Sequence, residues 1–269
     1  MSKMKKFKNI SLNEVKTILN EEMGIANEVV KLSNEAYNCI KSGKNKCVLS
    51  NGVKFEYGDF DGYSGYSAIK NKIQIDKSVN LTDSVLKDSI SHEIEHMWQV
   101  LNKKSGLHTQ PYEVAIDGMR RGYGAYQAIS MLYYYSRRFE IDAYCNGVYG
   151  SEQGKSYYGT FEDFIDFTNL DGIFKTYNML FDFFTEDTFN SSEFAYAWKE
   201  FVKRSKLKPN LDGKKVVLKL LKNGYRYLLR KSARLYSLIV SQNSKKWEDL
   251  SDFEKMEYNR SISARKIKN

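Results

Sequence analysis

Residues 91–99 read Ser-His-Glu-Ile-Glu-His-Met-Trp-Gln, and His92, Glu93 and His96 within them have the types and spacing for metal chemistry. The chain has three histidines, and two of them stand here, four residues apart. On an α-helix that spacing puts both imidazoles on one face, one turn from each other. Two neutral ring nitrogens so placed can bind one Zn²⁺, with Glu93 between them as the general base for a water. A catalytic zinc also needs a third protein ligand and an open position. His108 is the remaining histidine. It follows the expected helix end too closely to swing back easily, and reads also as a loop or substrate-facing group. In the longer His-Glu-x-x-His-x-x-Gly-x-x-His arrangement the glycine would fall on Gln99 and the third histidine on Asn102, so that arrangement is excluded. Cys39, Cys47 and Cys145 show no Cys-x-x-Cys spacing, which argues against a thiolate zinc site and for free thiols in a reducing compartment or buried small hydrophobes.

These residues need elements to position them. With 42% hydrophobic and 14% aromatic residues, the chain reads as an ordered globular protein. Its fold class is expected to be α+β, predominantly helical. Residues 11–42 read as one long helix or two, with Ser11 as N-cap, Glu14 as capping-box partner and Ser42-Gly43 at the end. Cys47 to Asp76 alternates like a small, mostly antiparallel sheet, with a hairpin around Asn51-Gly52 and a turn at Asp59–Gly62. The motif helix runs from Leu81 to about Lys104, capped by Thr82 or Asn80. Leu86, Ile90, Ile94, Met97 and Leu101 form its core stripe, and both histidines lie on its flank. Residues 112–149 suggest two helices broken near Gly122 and Gly124. Gly150–Gly159 reads as a polar loop. Helices follow at 161–185 and 192–205, a linker at Lys206–Gly213, a long helix from Lys214 to about Val240, and a short helix from Trp247.

Charge is spread unevenly. Residues 201–269 carry 19 Lys+Arg against 6 Asp+Glu, while the chain as a whole has a net charge of +9. Lys215, Lys219, Lys222, Arg226, Arg230 and Arg234 make one stripe on the last long helix, opposite Val217, Leu221, Tyr225, Leu228, Leu235 and Ile239. The stripe reads as a solvated face, as a docking surface for an acidic protein partner or a virion assembly, or as a nucleic-acid contact. The basic N-terminal stretch lacks an apolar run of signal-peptide length, and no window approaches a membrane span, so a cytoplasmic protein without a membrane partner is expected.

Arg138-Phe139-Glu140-Ile141-Asp142-Ala143-Tyr144 bears on the third ligand. Glu140 with Ala143 three residues on resembles the Glu-x-x-Ala pattern of glutamate-ligand zincins, the gluzincins. The order of short sheet, His-Glu-x-x-His helix and glutamate helix is also similar to that family over about residues 45–150. The closest likeness is to small phage- and bacteria-encoded gluzincins with an ImmA/IrrE-like core. A Glu-x-x-x-Asp variant would need Asp where this chain has Tyr144. With the linker at Lys206–Gly213 as the boundary, the chain is expected to divide into a zincin-like domain over 1–205, with its core at about 45–150, and a basic helical segment over 206–269. The resemblance implies His92, His96 and Glu140 as Zn²⁺ ligands, Glu93 as base, and peptide-bond hydrolysis of a restricted protein substrate. Asp142 is the rival carboxylate, about 200° around the helix from Glu140. His108, Tyr112, Tyr123 and Tyr126 are candidate oxyanion or substrate contacts. A strand at Tyr66–Ile69 or Lys72–Ile75, the latter expected at the sheet edge, could take a peptide by strand addition. The opposing class is a non-catalytic scaffold, such as a phage virion structural or accessory component or a nucleic-acid-associated factor.

Overall fold

The strands gather ahead of the motif helix, as the alternating pattern from Cys47 to Asp76 requires. A computed structural model describes residues 12–62, 64–78, 82–102, 109–152 and 160–243. The architecture is α+β and predominantly helical. Ser11, Asn80, Ser105-Gly106, His108, most of the Gly150–Gly159 loop and the tail from Trp247 lie outside the described residues.

α1 (Leu12–Lys41) is one uninterrupted helix. It ends as Gly43 turns to a φ of +78° and its N–H donates to the Ile40 carbonyl, a conformation that favours glycine. Strands β1 (Lys46–Val48), β2 (Lys54–Gly58), β3 (Gly65–Ser67) and β4 (Lys72–Asp76) form one sheet in the order β1-β2-β4-β3. The hairpin at Asn51-Gly52 joins β1 and β2 as expected. The sheet is mixed, however, because β2 and β4 run parallel, with Phe55 opposite Ile73 and Tyr57 opposite Ile75. Alternation reports which residues face the core and not which strands are neighbours. The turn after β2 is tied across the end of β4: Asp76 accepts from the N–H groups of Phe60 at 2.5 Å and Gly62 at 2.9 Å. That tie sends β3 to the far side of β4. The edge strands are therefore β1 and β3, and the expected edge at Lys72–Ile75 is an inner strand.

α2 (Asp83–Leu101) carries the motif, with the Thr82 hydroxyl accepting from Val85 N–H as its cap. Leu86, Ile90, Ile94 and Met97 pack on Phe55, Ile73 and Ile75 of the sheet and on Val29, Leu32 and Ala36 of α1. Leu101 does not join them. It sits in the helix's last turn, next to the capping Asn102, and is 58% exposed.

The remaining helices build a second core. They are α3 (Gln110–Arg121), α4 (Gly124–Tyr135), α5 (Arg138–Glu152), α6 (Phe161–Phe167), α7 (Leu170–Phe183), α8 (Glu186–Asn190), α9 (Ser192–Arg204) and α10 (Gly213–Asn243). Two breaks differ from expectation, and a tertiary hydrogen bond stands at each. α4 stops before α5 where the Tyr177 hydroxyl of α7 donates to the Tyr135 carbonyl. The stretch 161–185 divides at Thr168-Asn169, where the Asn169 amide donates to Asp88 of α2. Val217, Leu221, Leu228, Leu235 and Ile239 of α10 lie in the same core as α3, α4, α5, α7 and α9. Lys206–Gly213 connects α9 to α10, and both helices contribute side chains to that core. Among the described residues, no helix is long and apolar enough to cross a membrane.

Asp76 offers a test of the sheet. It also accepts from the Ser78 N–H and hydroxyl, and these donors with those of Phe60 and Gly62 hold its carboxyl down at about 2 against an ordinary 3.8. A depressed folded pKa contributes stability above the ordinary value that is lost as pH falls towards 2. Asp76→Asn should lower the melting temperature at pH 6 and flatten its dependence on pH between about 4 and 2, measured by circular dichroism.

Candidate metal centre

The site lies where the two cores meet, between α2 and α5. The face of α5 turned to α2 is made of small residues. Ala143 is fully buried. A Cβ built on Gly147 would stand 2.6 Å from Asp88 Oδ1 and 3.0 Å from its backbone oxygen, and one on Gly150 would stand 2.2 Å from Ser91 Oγ. Glu140, Ala143, Gly147 and Gly150 are spaced three and four apart, so they run along one helix face. The side chains missing from that line let the α5 backbone close on α2 and put Glu140 against the histidines.

His92, His96 and Glu140 converge, and each offers one ligand atom within 4.8 Å of the others. The two Nε2 atoms are 3.0 Å apart. His92 Nε2 is 3.7 Å from Glu140 Oε2, and His96 Nε2 is 3.5 Å from Oε1. Around a tetrahedral ion with bonds near 2 Å, ligand atoms stand about 3.3 Å apart. The three separations straddle that value. Asp142, the rival carboxylate, faces the other way: it accepts from Tyr227 at 2.9 Å and pairs with Lys231 at 3.1 Å, both on α10.

A hydrogen-bond chain sets the tautomer of His96. Gln99 Nε2 donates to Glu95 Oε1 at 3.1 Å and to the Phe139 carbonyl at 3.0 Å. The amide oxygen of Gln99 is therefore the atom that faces His96 Nδ1, at 3.0 Å, and it accepts that ring's proton. The lone pair of the neutral ring then sits on Nε2, pointing at the shared point, as a metal ligand requires. Tyr112 supports the third member by donating to Glu140 Oε1 at 2.5 Å.

Electrostatics draw a cation to this point. Glu140 is wholly buried, and its Oε2 makes no hydrogen bond among the described residues. An uncompensated buried carboxylate costs several kcal/mol. Burial pushes Glu140 up, but the charge and hydrogen bond of His96, the charge of His92 and the Tyr112 hydrogen bond together outweigh it and hold the carboxyl below the usual range. Burial alone would lower His96; the charge and hydrogen bond of Glu140, the Glu93 charge and the Gln99 hydrogen bond together reverse this and bring it up to about 9. His92 is pushed down to about 3 by burial and by His96. Without a metal, one imidazole thus takes up a proton. A metal cation answers the same demand with all three donors at once, so the residues fit one.

Glu93 is buried beside this group. Burial lifts its pKa to about 7, the His96 charge opposes the rise, Glu140 adds to it, and a backbone hydrogen bond from Tyr66 opposes it again. Tyr66 belongs to β3, so the general-base candidate touches the edge strand.

The tyrosine candidates separate. Tyr112 is in the site. Tyr123 is 86% exposed, and Tyr126 accepts from Arg204 at 2.9 Å; both line a pocket of about 340 Å³ between α3, α4 and α9. Tyr126 lies two turns of α4, about 12 Å of helix rise, from Tyr134. Tyr134 and Tyr144 were not singled out by spacing. Tyr134 stacks on Tyr112 at 5.7 Å and lies beside Glu140, and Tyr144 packs edge-on against His92 at 4.5 Å. Gln99 and Glu95 were also passed over, although one lies three residues after His96 and the other one residue before it.

Gly147→Val should force α5 away from α2, at a cost of about 1–3 kcal/mol of folding stability, and should weaken metal uptake. Gly172 on α7 has open space around its Cβ position. Gly172→Ala should raise stability by about 0.5–1 kcal/mol with metal uptake unchanged. Urea titration and metal titration check both. The geometry of these residues carries the functional reading unaided, because comparison of the chain with protein-family models, with curated proteins and with solved structures finds no match.

Proposed function

We propose that the chain is a zinc-dependent metallopeptidase that cuts a restricted protein or peptide substrate in the cytoplasm. The observation that carries this reading is the convergence of the buried Glu140 carboxylate on the two Nε2 atoms of a His-Glu-x-x-His helix. Two imidazoles and one carboxylate are a donor set of catalytic zinc, and a fourth position is left for water and substrate. When bound, zinc supplies a Lewis acid that polarises a carbonyl and lets water ionise near neutral pH.

The chain's own residues do the rest. His92, His96 and Glu140 would hold the ion. Gln99 keeps the His96 proton on Nδ1, and Tyr112 holds the Glu140 carboxylate in place. Glu93 takes a proton from the attacking water and returns it to the leaving amine. In the metal-free site burial raises its pKa to about 7, the range in which a carboxyl group exchanges protons at neutral pH. Edge strand β3, whose Tyr66 touches Glu93, offers a place for an extended peptide to pair. His92, Glu93 and His96 are each under a tenth exposed, which favours a restricted substrate. Three free cysteines suit a reducing compartment.

The test combines metal analysis with cleavage of a mixed peptide library. Wild-type protein should carry one zinc per chain. The double variant His92→Ala/His96→Ala should carry none, and stoichiometric metal in it would remove the site. Glu93→Gln should keep its zinc and lose at least about 100-fold in cleavage rate, because an amide accepts no proton at neutral pH. Zinc-loaded wild-type protein that leaves the whole library intact would overturn the peptidase reading in favour of a zincin scaffold without catalysis.

A further inference from the structure

We propose that the cationic face of α10 is a docking surface for the phosphate backbone of double-stranded nucleic acid. The helix spans 31 residues from Gly213 to Asn243 and contains no Asp or Glu. Lys215, Lys219, Lys222, Arg226, Arg230 and Arg234 are all exposed. Among the described residues, none of the six has an acidic partner. The cations of α10 that lie off the stripe do: Lys214 pairs with Glu186 at 2.6 Å and Lys231 with Asp142 at 3.1 Å. Among the described residues, acidic side chains are thus placed against this helix, but not against the stripe.

The arrangement works against the helix itself. Lys215/Lys219, Lys222/Arg226, Arg226/Arg230 and Arg230/Arg234 are like charges four residues apart, and each such pair destabilises a helix. Helix surfaces that serve only solubility mix the two signs and gain from doing so. An anionic partner turns the same repulsion into attraction. The opposite side of α10 is locked in the core by Val217, Leu221, Leu228, Leu235 and Ile239. The stripe is therefore held as a rigid row of charges, about 29 Å from end to end, with steps of about 4.5–6 Å.

That form selects the partner. A protein interface is anchored by aromatic or aliphatic groups in pockets. Between these cations stand Asn223 and Ala233, and Ser237 follows about one turn past the last, all exposed and short or small, which leave the charged ends free to meet a surface. Counting both strands, phosphates repeat along a duplex every 1.7 Å of axis, about three charges for each step of the stripe, and they accept Lys and Arg contacts without sequence preference. A second copy of the chain would meet like charge with like. Leu218 and Leu229 border the stripe on one side, 44% and 40% exposed, and are what an acidic amphipathic helix would use instead.

The experiment uses the full-length protein and labelled 30-base-pair duplexes of mixed sequence, one DNA and one RNA, followed by fluorescence anisotropy across a salt series. The affinity should fall with salt by about 0.9 log units per log unit for each phosphate contact. Lys219→Gln/Lys222→Gln/Arg226→Gln/Arg230→Gln should bind at least about tenfold more weakly at 100 mM salt, with a slope shallower by up to about 3.6. Exchanging Lys for Arg and Arg for Lys at the same four positions should keep the binding. So should Leu218→Ala/Leu229→Ala. Binding to both duplexes, or to one, with this variant pattern supports the proposal. A parent protein without salt-sensitive duplex binding overturns it, as does a fourfold Gln variant that keeps its helical signal and metal content and binds unchanged. Equal affinity for polyglutamate, lost in the leucine variant, overturns it in favour of an acidic protein partner. If the fourfold variant fails to fold, Lys215→Gln/Arg234→Gln replaces it, and an unchanged slope in that pair overturns the proposal.

Discussion

The approach of α5 to α2 is the contact on which the rest of the structure depends. It exists because Ala143, Gly147 and Gly150 present almost no side chain to Asp88 and Ser91. Core interiors are packed too densely to absorb an added methyl group without a shift. At Gly147 the obstacle includes backbone, which cannot rotate away as a side chain can. This one interface brings Glu140 from the second core onto the two histidines from the first. A loose crossing would leave two imidazoles on a helix flank and a carboxylate elsewhere, with no shared point between them.

Burial then decides what that point can hold. Glu140 has surrendered its water, and Tyr112 returns one hydrogen bond to one oxygen. The other oxygen faces His92, and the demand for a positive charge remains. The same burial raises Glu93 to about 7. Gln99, Glu95 and the Phe139 carbonyl form the frame that aims His96, so α2 and α5 orient each other's side chains.

The C-terminal helix is bound to this assembly through the back of α5. Tyr227 and Lys231 close on Asp142, two residues after Glu140 and on the other side of the helix. α10 thus braces the carboxylate helix with one face and on another presents cations that have no acidic partner among the described residues. The asymmetry explains how one element can serve the centre structurally and still offer a separate surface, since the residues for the two tasks do not overlap.

Much of the centre was legible in the chain itself. Four-residue spacing on an amphipathic helix is local geometry, so His92, Glu93, His96 and the stripe Leu86, Ile90, Ile94 and Met97 could be read directly. The α10 stripe is legible for the same reason. Glu140 was reached through its likeness to Glu-x-x-Ala, and its place beside the histidines is a tertiary fact. Strand order was not legible, because alternation is the same for parallel and antiparallel neighbours; the Asp76 tie to Phe60 and Gly62 decided it. The helix breaks at Ser136 and Thr168 belong to Tyr177 and Asn169, whose partners lie far away in sequence. Tyr112 was one of four equal candidates by composition, and only folding sent it to Glu140 while Tyr123 and Tyr126 went to another pocket. Periodicity along a helix is written in the order of residues. Which distant side chain meets which is set by how closely the helices can pack.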